Sequence, residues 1–130
     1  MPGIENNIFI IENLDHSDGT VNVRLVVNAN SDILKGHFPG QPVVPGACML
    51  QLVKDVMENA VGQIVRLKKA DNIKFMSMVV PGENNQLQLN VSYKISDDNI
   101  YAVQATLYSG DIICFKFQGI FVTGKTYEVL

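Results

Sequence analysis

The strongest constraint on this fold is an imbalance: one helical stretch against several strand-like ones. Residues 47–61 place Leu50, Val53, Val56, Met57, Ala60 and Val61 at helical spacing, with Gln51, Lys54, Asp55, Glu58 and Asn59 forming the opposite stripe. Gly62 is a natural stop. Downstream the period shortens to two: Leu87, Leu89, Val91, Tyr93 and Ile95 alternate with polar residues. Residues 100–109 and 112–123 follow through the turn formers Asp97-Asp98-Asn99 and Ser109-Gly110-Asp111. Strands joined by such short turns form an antiparallel meander. The apolar stripe of a lone helix has no second helix to pack on, so it must lie against the sheet. The expectation is an α+β domain with one central helix wrapped by a curved antiparallel sheet.

The rest of the chain is consistent with that plan. Residues 8–14 read as a strand or extended entry segment, and Asp15-His16-Ser17-Asp18-Gly19 as a turn. Val21, Val23, Leu25 and Val27 alternate with polar residues in a strand over 20–28. Residues 64–78 are a long, interrupted strand region, and Pro81-Gly82-Glu83-Asn84-Asn85 a turn. No linker-like break or repeat divides the chain, so residues 1–130 form one domain. With 47% hydrophobic and 18% charged residues, the composition is globular. A net charge of −3 gives no basic excess for nucleic acid. Cys48 and Cys114 lie in apolar runs, which fits reduced, buried thiols. The sequence shows no targeting segment and no apolar stretch near the roughly 20 residues that cross a bilayer. A cytoplasmic protein without membrane or nucleic-acid partners is expected.

Candidate chemistry gathers around one loop. Residues 30–46 hold three prolines and three glycines, which fix the backbone without building a regular element. His37, beside Phe38, is the natural proton carrier near neutral pH; its alternative role is a polar anchor for the loop. Pro45-Gly46 opens the helix, whose first N–H groups lack intrahelical partners and carry the positive end of the dipole. Those groups suit a carbonyl oxygen gaining negative charge, although an ordinary helix start has the same form. Gln51 and Asp55 are one turn apart and share a face. They are either an acid with an orienting amide or members of the solvated stripe with Lys54 and Glu58. His16 is expected to be exposed. Cys48 lies in the first turn, where the dipole would lower its pKa, but its apolar surroundings favour a structural role. Arg66, Lys68 and Lys69 form the one basic cluster, and no metal-ligand spacing is present.

The segment His37-Phe38-Pro39-Gly40-Gln41-Pro42-Val43-Val44-Pro45-Gly46 resembles the signature loop of the bacterial 3-hydroxyacyl-acyl-carrier-protein dehydratases, His-Phe-Pro-Gly-x-Pro-x-x-Pro-Gly. A second stretch, Ile73-Lys74-Phe75-Met76-Ser77-Met78-Val79-Val80-Pro81-Gly82-Glu83, is similar to that family's Pro-Val-x-Pro-Gly-Asp strand end, with Met78 replacing the first proline. The resemblance implies the hot-dog fold. It also implies removal of water from a 3-hydroxyacyl thioester, with His37 handling the C2 proton and the Gly46 N–H polarising the thioester carbonyl. Phe38 and Ala47 would flank the substrate. The family's helix carboxylate, fourteen residues after the histidine, is Gln51 here, while Asp55 stands where the family has glutamine. A glutamine can hydrogen-bond a hydroxyl but supplies no proton.

Three readings follow. One is a dehydratase using His37 and Asp55, with Gln51 orienting the hydroxyl or a water. Another is a catalytically weak acyl-thioester-binding module beside an active homologue. The last is a hot-dog thioesterase, which the histidine loop disfavours. The resemblance further implies a carrier-protein or coenzyme A thioester as substrate, so that no cofactor is needed beyond the carrier's phosphopantetheine arm. It also implies a homodimer with a shared site, within a family that includes trimers of dimers.

Overall fold

The computed structural model describes residues 8–28, 44–80, 86–97 and 99–124. Six strands form one sheet: β1 (Phe9–Ser17), β2 (Thr20–Val27), β3 (Arg66–Phe75), β4 (Gln86–Asp97), β5 (Ile100–Ser109) and β6 (Ile112–Val122). Their order is β1-β2-β4-β5-β6-β3, and every pairing is antiparallel. The single described helix, α1 (Gly46–Val61), lies between β2 and β3 in sequence. β4, β5 and β6 form the expected meander. β3 instead crosses to the far edge and, among the described residues, pairs only with β6.

Strict alternation makes the sheet two-faced. Val21, Val23 and Leu25 of β2, Leu87, Leu89 and Val91 of β4, and Val103, Ala105 and Leu107 of β5 are all buried. Their neighbours in sequence point to the opposite, polar face. Met49, Leu52, Val53, Val56 and Met57 of α1 fill the space on the apolar side. Each such side chain stabilises the fold by roughly 1.5–3 kcal/mol relative to exposure. The buried stripe sits slightly differently from the expected one. Met49 and Leu52 are fully enclosed, whereas Leu50, Ala60 and Val61 are only partly buried at its margin. The whole is the hot-dog arrangement, one helix held by a curved sheet.

The helix stops where expected. Gly62 takes the left-handed conformation (φ 74°) and donates its N–H to the Glu58 carbonyl at 2.9 Å. The Glu58 carboxylate then accepts from Lys54 Nζ (2.9 Å) and from the Val65 N–H (3.0 Å), tying the last turns to the entry of β3.

Two expectations need correction. Asp15, His16 and Ser17 belong to β1, and the turn is only Asp18-Gly19, because Ser17 and Thr20 pair directly. Turn-forming residues are tolerated on an edge strand whose side chains are exposed there. The interrupted pattern over 64–78 arises from two register shifts, between Leu67 and Lys69 and between Ala70 and Asn72, where extra residues break the alternation. No helix among the described residues is long and apolar enough to cross a membrane.

Candidate active site

The first backbone groups of α1 are presented without a side-chain cap. Pro45 is the N-cap, extended at ψ 146°, and the first turn holds no acidic residue. A proline here supplies a fixed φ and no N–H of its own, so the donors on offer belong to the residues after it. Cys48 N–H bonds back to the Pro45 carbonyl at 3.0 Å. The positive end of the helix dipole therefore opens at Gly46 and Ala47.

Three tethers hold this helix start in place. Val44 N–H donates to the Val79 carbonyl (2.9 Å), binding the approach to α1 to the segment after β3. Met76 and Ser77 both donate to the Cys114 carbonyl (2.8 and 3.3 Å), binding that segment to β6. Between them lies a cleft of about 500 Å³ walled by Val44, Gly46, Met49, Phe75, Met76 and Met78. The Phe75 ring stacks at 5.3 Å on Phe115 and lies over Gly46 so closely that a β-carbon there would meet ring carbons at 2.6 Å. Glycine at position 46 thus keeps an aromatic wall against the helix donors.

Gln51 and Asp55 act as one unit. Gln51 Nε2 donates to Asp55 Oδ1 at 2.8 Å, with Gln51 exposed and Asp55 half-buried. Lys54 pairs with Glu58 (2.9 Å). The helix surface beyond the core is thereby divided between an amide–carboxylate pair and an ion pair. The acid and amide expected to cooperate are in direct contact, and the bond orients the carboxylate.

His37 and Phe38 lie outside the described residues, as does the loop over 29–43. Its described neighbours are Asn28, bonded to the Ile8 carbonyl (2.7 Å), and Val44. They bracket the end of the sheet at which β2 and β3 finish. Ala47 is exposed in the first helical turn, beside Gly46.

The weaker candidates resolve into structural roles. His16 is exposed on β1, the edge opposite β3, and its Nε2 shares a 2.7 Å hydrogen bond with the Tyr93 hydroxyl. Burial raises the Tyr93 pKa, and the nearby Asp18 charge adds to it. Burial likewise pushes the Cys48 thiol up. Both Cys48 and Cys114 are free. A larger concavity of about 650 Å³ crosses the polar outer face near Ser92, Gln104 and Gln118, away from the helix donors.

Phe75, Met76 and Met78 escaped the sequence reading as site residues. Their signal was present: an unbroken run of mostly apolar side chains at the end of β3, where a half-buried strand would alternate.

Comparison with known proteins bears on the family and the fold. Residues 13–111 match the ApeI-like family, described as ApeI dehydratase. The chain is 33% identical over 86 residues to the 3-hydroxyacyl-acyl-carrier-protein dehydratase FabZ of Oenococcus oeni, covering 61% of this chain and 60% of that one. It is 32% identical over 106 residues to the FabZ of Desulforamulus reducens, covering 76% and 73%. Across the first three such relatives the match spans between 50% and 64% of the relative's length. Among solved structures, the dehydratase heterocomplex ApeI:P from Xenorhabdus doucetiae superposes with a TM-score of 0.71 at 18% identity, covering 87% of this chain and 96% of that one. This structural likeness concerns the fold.

Proposed function

Since the chain belongs to the ApeI-like dehydratase family, we propose that it removes water from a 3-hydroxyacyl thioester to give the 2-enoyl thioester. The observation that carries this reading is the uncapped start of α1 opening onto an apolar cleft. The cleft accepts an acyl chain, and the Gly46 N–H receives the thioester carbonyl as its oxygen gains charge. That polarisation acidifies C2. His37 takes the C2 proton, the C3–O bond breaks, and a proton from Asp55 leaves with the hydroxyl as water. The bond from Gln51 holds Asp55 in orientation. The acyl group arrives on the phosphopantetheine arm of a carrier protein or of coenzyme A, and the two free cysteines suit a cytoplasmic setting.

The site is shared. The cleft walls Phe75, Met76 and Met78 are 57%, 54% and 76% exposed, which leaves the cavity open along the β3 edge. A second hot-dog chain seated there closes it, and the resemblance implies that one chain supplies the histidine and the other the helix. One observation favours a weaker role: Gln51, at the position the resemblance gives to the acid, cannot protonate a leaving hydroxyl.

The test is turnover of a 3-hydroxyacyl coenzyme A thioester, followed by the ultraviolet absorbance of the enoyl thioester in both directions. Asp55→Asn is expected to lower turnover about 10²-fold or more, the usual scale for a lost general acid, and Gln51→Ala to cost less. No turnover in either direction by the wild-type protein sinks the dehydratase reading and leaves the binding module. Release of free thiol without enoyl product points to a thioesterase.

A further inference from the structure

The cleft at the start of α1 is graded in burial. Val44 and Met49, 5% and 3% exposed, form its inner end, whereas Phe75, Met76 and Met78 stand exposed around its mouth. Gly46 lies between, with the Phe75 ring over it. The two inner residues differ in how far they can give. Val44 is β-branched and stiff at χ1, and its N–H is tied to the Val79 carbonyl at 2.9 Å. Met49 is unbranched, with the flexible thioether side chain that adapts best to an irregular gap.

Met49 also stands where an acyl chain would run. It follows Gly46 by three residues and so shares its face of α1. Helical side chains lean back over the turn before their own Cα, which carries the thioether toward Gly46. A chain held by its carbonyl at the Gly46 N–H therefore meets Met49 within one helical turn, about 5.4 Å or about four extended carbons. Behind Met49 the buried stripe continues through Leu52, Val53 and Val56, all fully enclosed. Close-packed interiors hold few voids larger than a water, so the described residues leave no path past Met49.

We propose that Met49 is the stop of the acyl pocket and that it limits the substrate class to short acyl thioesters, of about six carbons or fewer by the one-turn distance. The inference rests on the reading that the cleft holds an acyl thioester with its carbonyl at Gly46, and it names the length of the chain. Met49 meets only the methyl end. It is a specificity residue, one turn removed from the atoms that react.

The test is calorimetric binding of saturated acyl-coenzyme A thioesters, butanoyl to dodecanoyl, which carry no 3-hydroxyl to eliminate. Each methylene buried in the pocket tightens binding about fourfold, and for the wild type this gain is expected to stop at hexanoyl. Met49→Ala, shown to be folded by circular dichroism, removes about three atoms from the stop. Octanoyl should then bind about tenfold tighter than it does to wild type, two methylenes having gained cover. Met49→Val, the milder truncation in case alanine disrupts the core, should move octanoyl the same way by less. Met78→Ala, at the exposed mouth, should leave the limit at hexanoyl. A wild-type gain that continues through dodecanoyl overturns the proposal, as does a limit unmoved by the folded truncations or moved as far by Met78→Ala. Failure of the wild type to bind any member of the series removes the acyl-thioester reading itself, and the inference with it. Binding is read without turnover, so an inactive protein can still uphold the inference and an active one can still refute it.

Discussion

Gly46 and Phe75 constrain each other, which separates stability from chemistry at the helix start. Gly46→Ala adds a β-carbon where the Phe75 ring lies, but that ring is more than half exposed and can swing aside. Alanine is also the better helix former by about 1 kcal/mol. Unfolding midpoints are therefore expected to change by less than about 1 kcal/mol, while turnover falls about tenfold or more from the displaced wall. In a Phe75→Ala background the same change should cost little further activity. Two thiols supply a pH prediction. Burial raises Cys48 and Cys114 above the ordinary thiol value in the folded state, so their contribution is full below the unfolded pKa and is lost as pH rises through the folded one. Urea midpoints should decline on the alkaline side of about pH 8.5, and Cys114→Ala should flatten that decline. An unchanged slope would remove the thiol from the account.

At the scale of elements, the β3–β6 pair is the joint with least tolerance. A β-carbon on Gly119 would strike the backbone carbonyl of Lys69 and the Phe117 ring. Backbone cannot swing aside as Phe75 can. Gly119→Ala should thus destabilise by about 1–3 kcal/mol, the usual cost of overpacking, measured as a lower denaturant midpoint. Much at this scale was legible beforehand. The helix and the strands β2, β4, β5 and β6 follow from apolar spacing, since period reports burial directly. β1 was shortened because Asp15, His16 and Ser17 have turn chemistry, yet on an edge their side chains meet water and the strand accepts them. β3 was blurred because bulges erase alternation. The helix start at Gly46 was readable from Pro45-Gly46. Its aromatic wall was not, because Phe75 reaches α1 only through pairing with Phe115, a contact between residues far apart in sequence.

For the whole molecule, the two edges of the sheet have different characters. β1 exposes Ile10, Glu12 and Asn13 around a bulge, and its far end is closed by the His16–Tyr93 contact. β3 gathers positive charge and apolar side chains beside the cleft. On the proposed function, assembly and catalysis are thus both concentrated on one edge. Substitutions that weaken association there are expected to lower turnover at dilute protein and to recover it as concentration rises, a dependence that steady-state rates across protein concentration would reveal. Turnover per chain that is independent of concentration would place the complete site within one subunit.

The strand order also sets a schedule. β3 precedes β4, β5 and β6 in the chain, yet among the described residues its only strand neighbour is β6. Until β6 emerges from Phe115 onward, the segment Arg66–Phe75 has no described strand to set its register, and the part of the sheet it completes cannot close beside α1. The local meander of β4, β5 and β6 can form first because its loops are short, whereas the distant β3–β6 contact must overcome the larger closure entropy. β3 is accordingly the late arrival in folding. Ile73→Val should accelerate unfolding while leaving the refolding rate nearly unchanged, and stopped-flow traces in both directions would show whether it does.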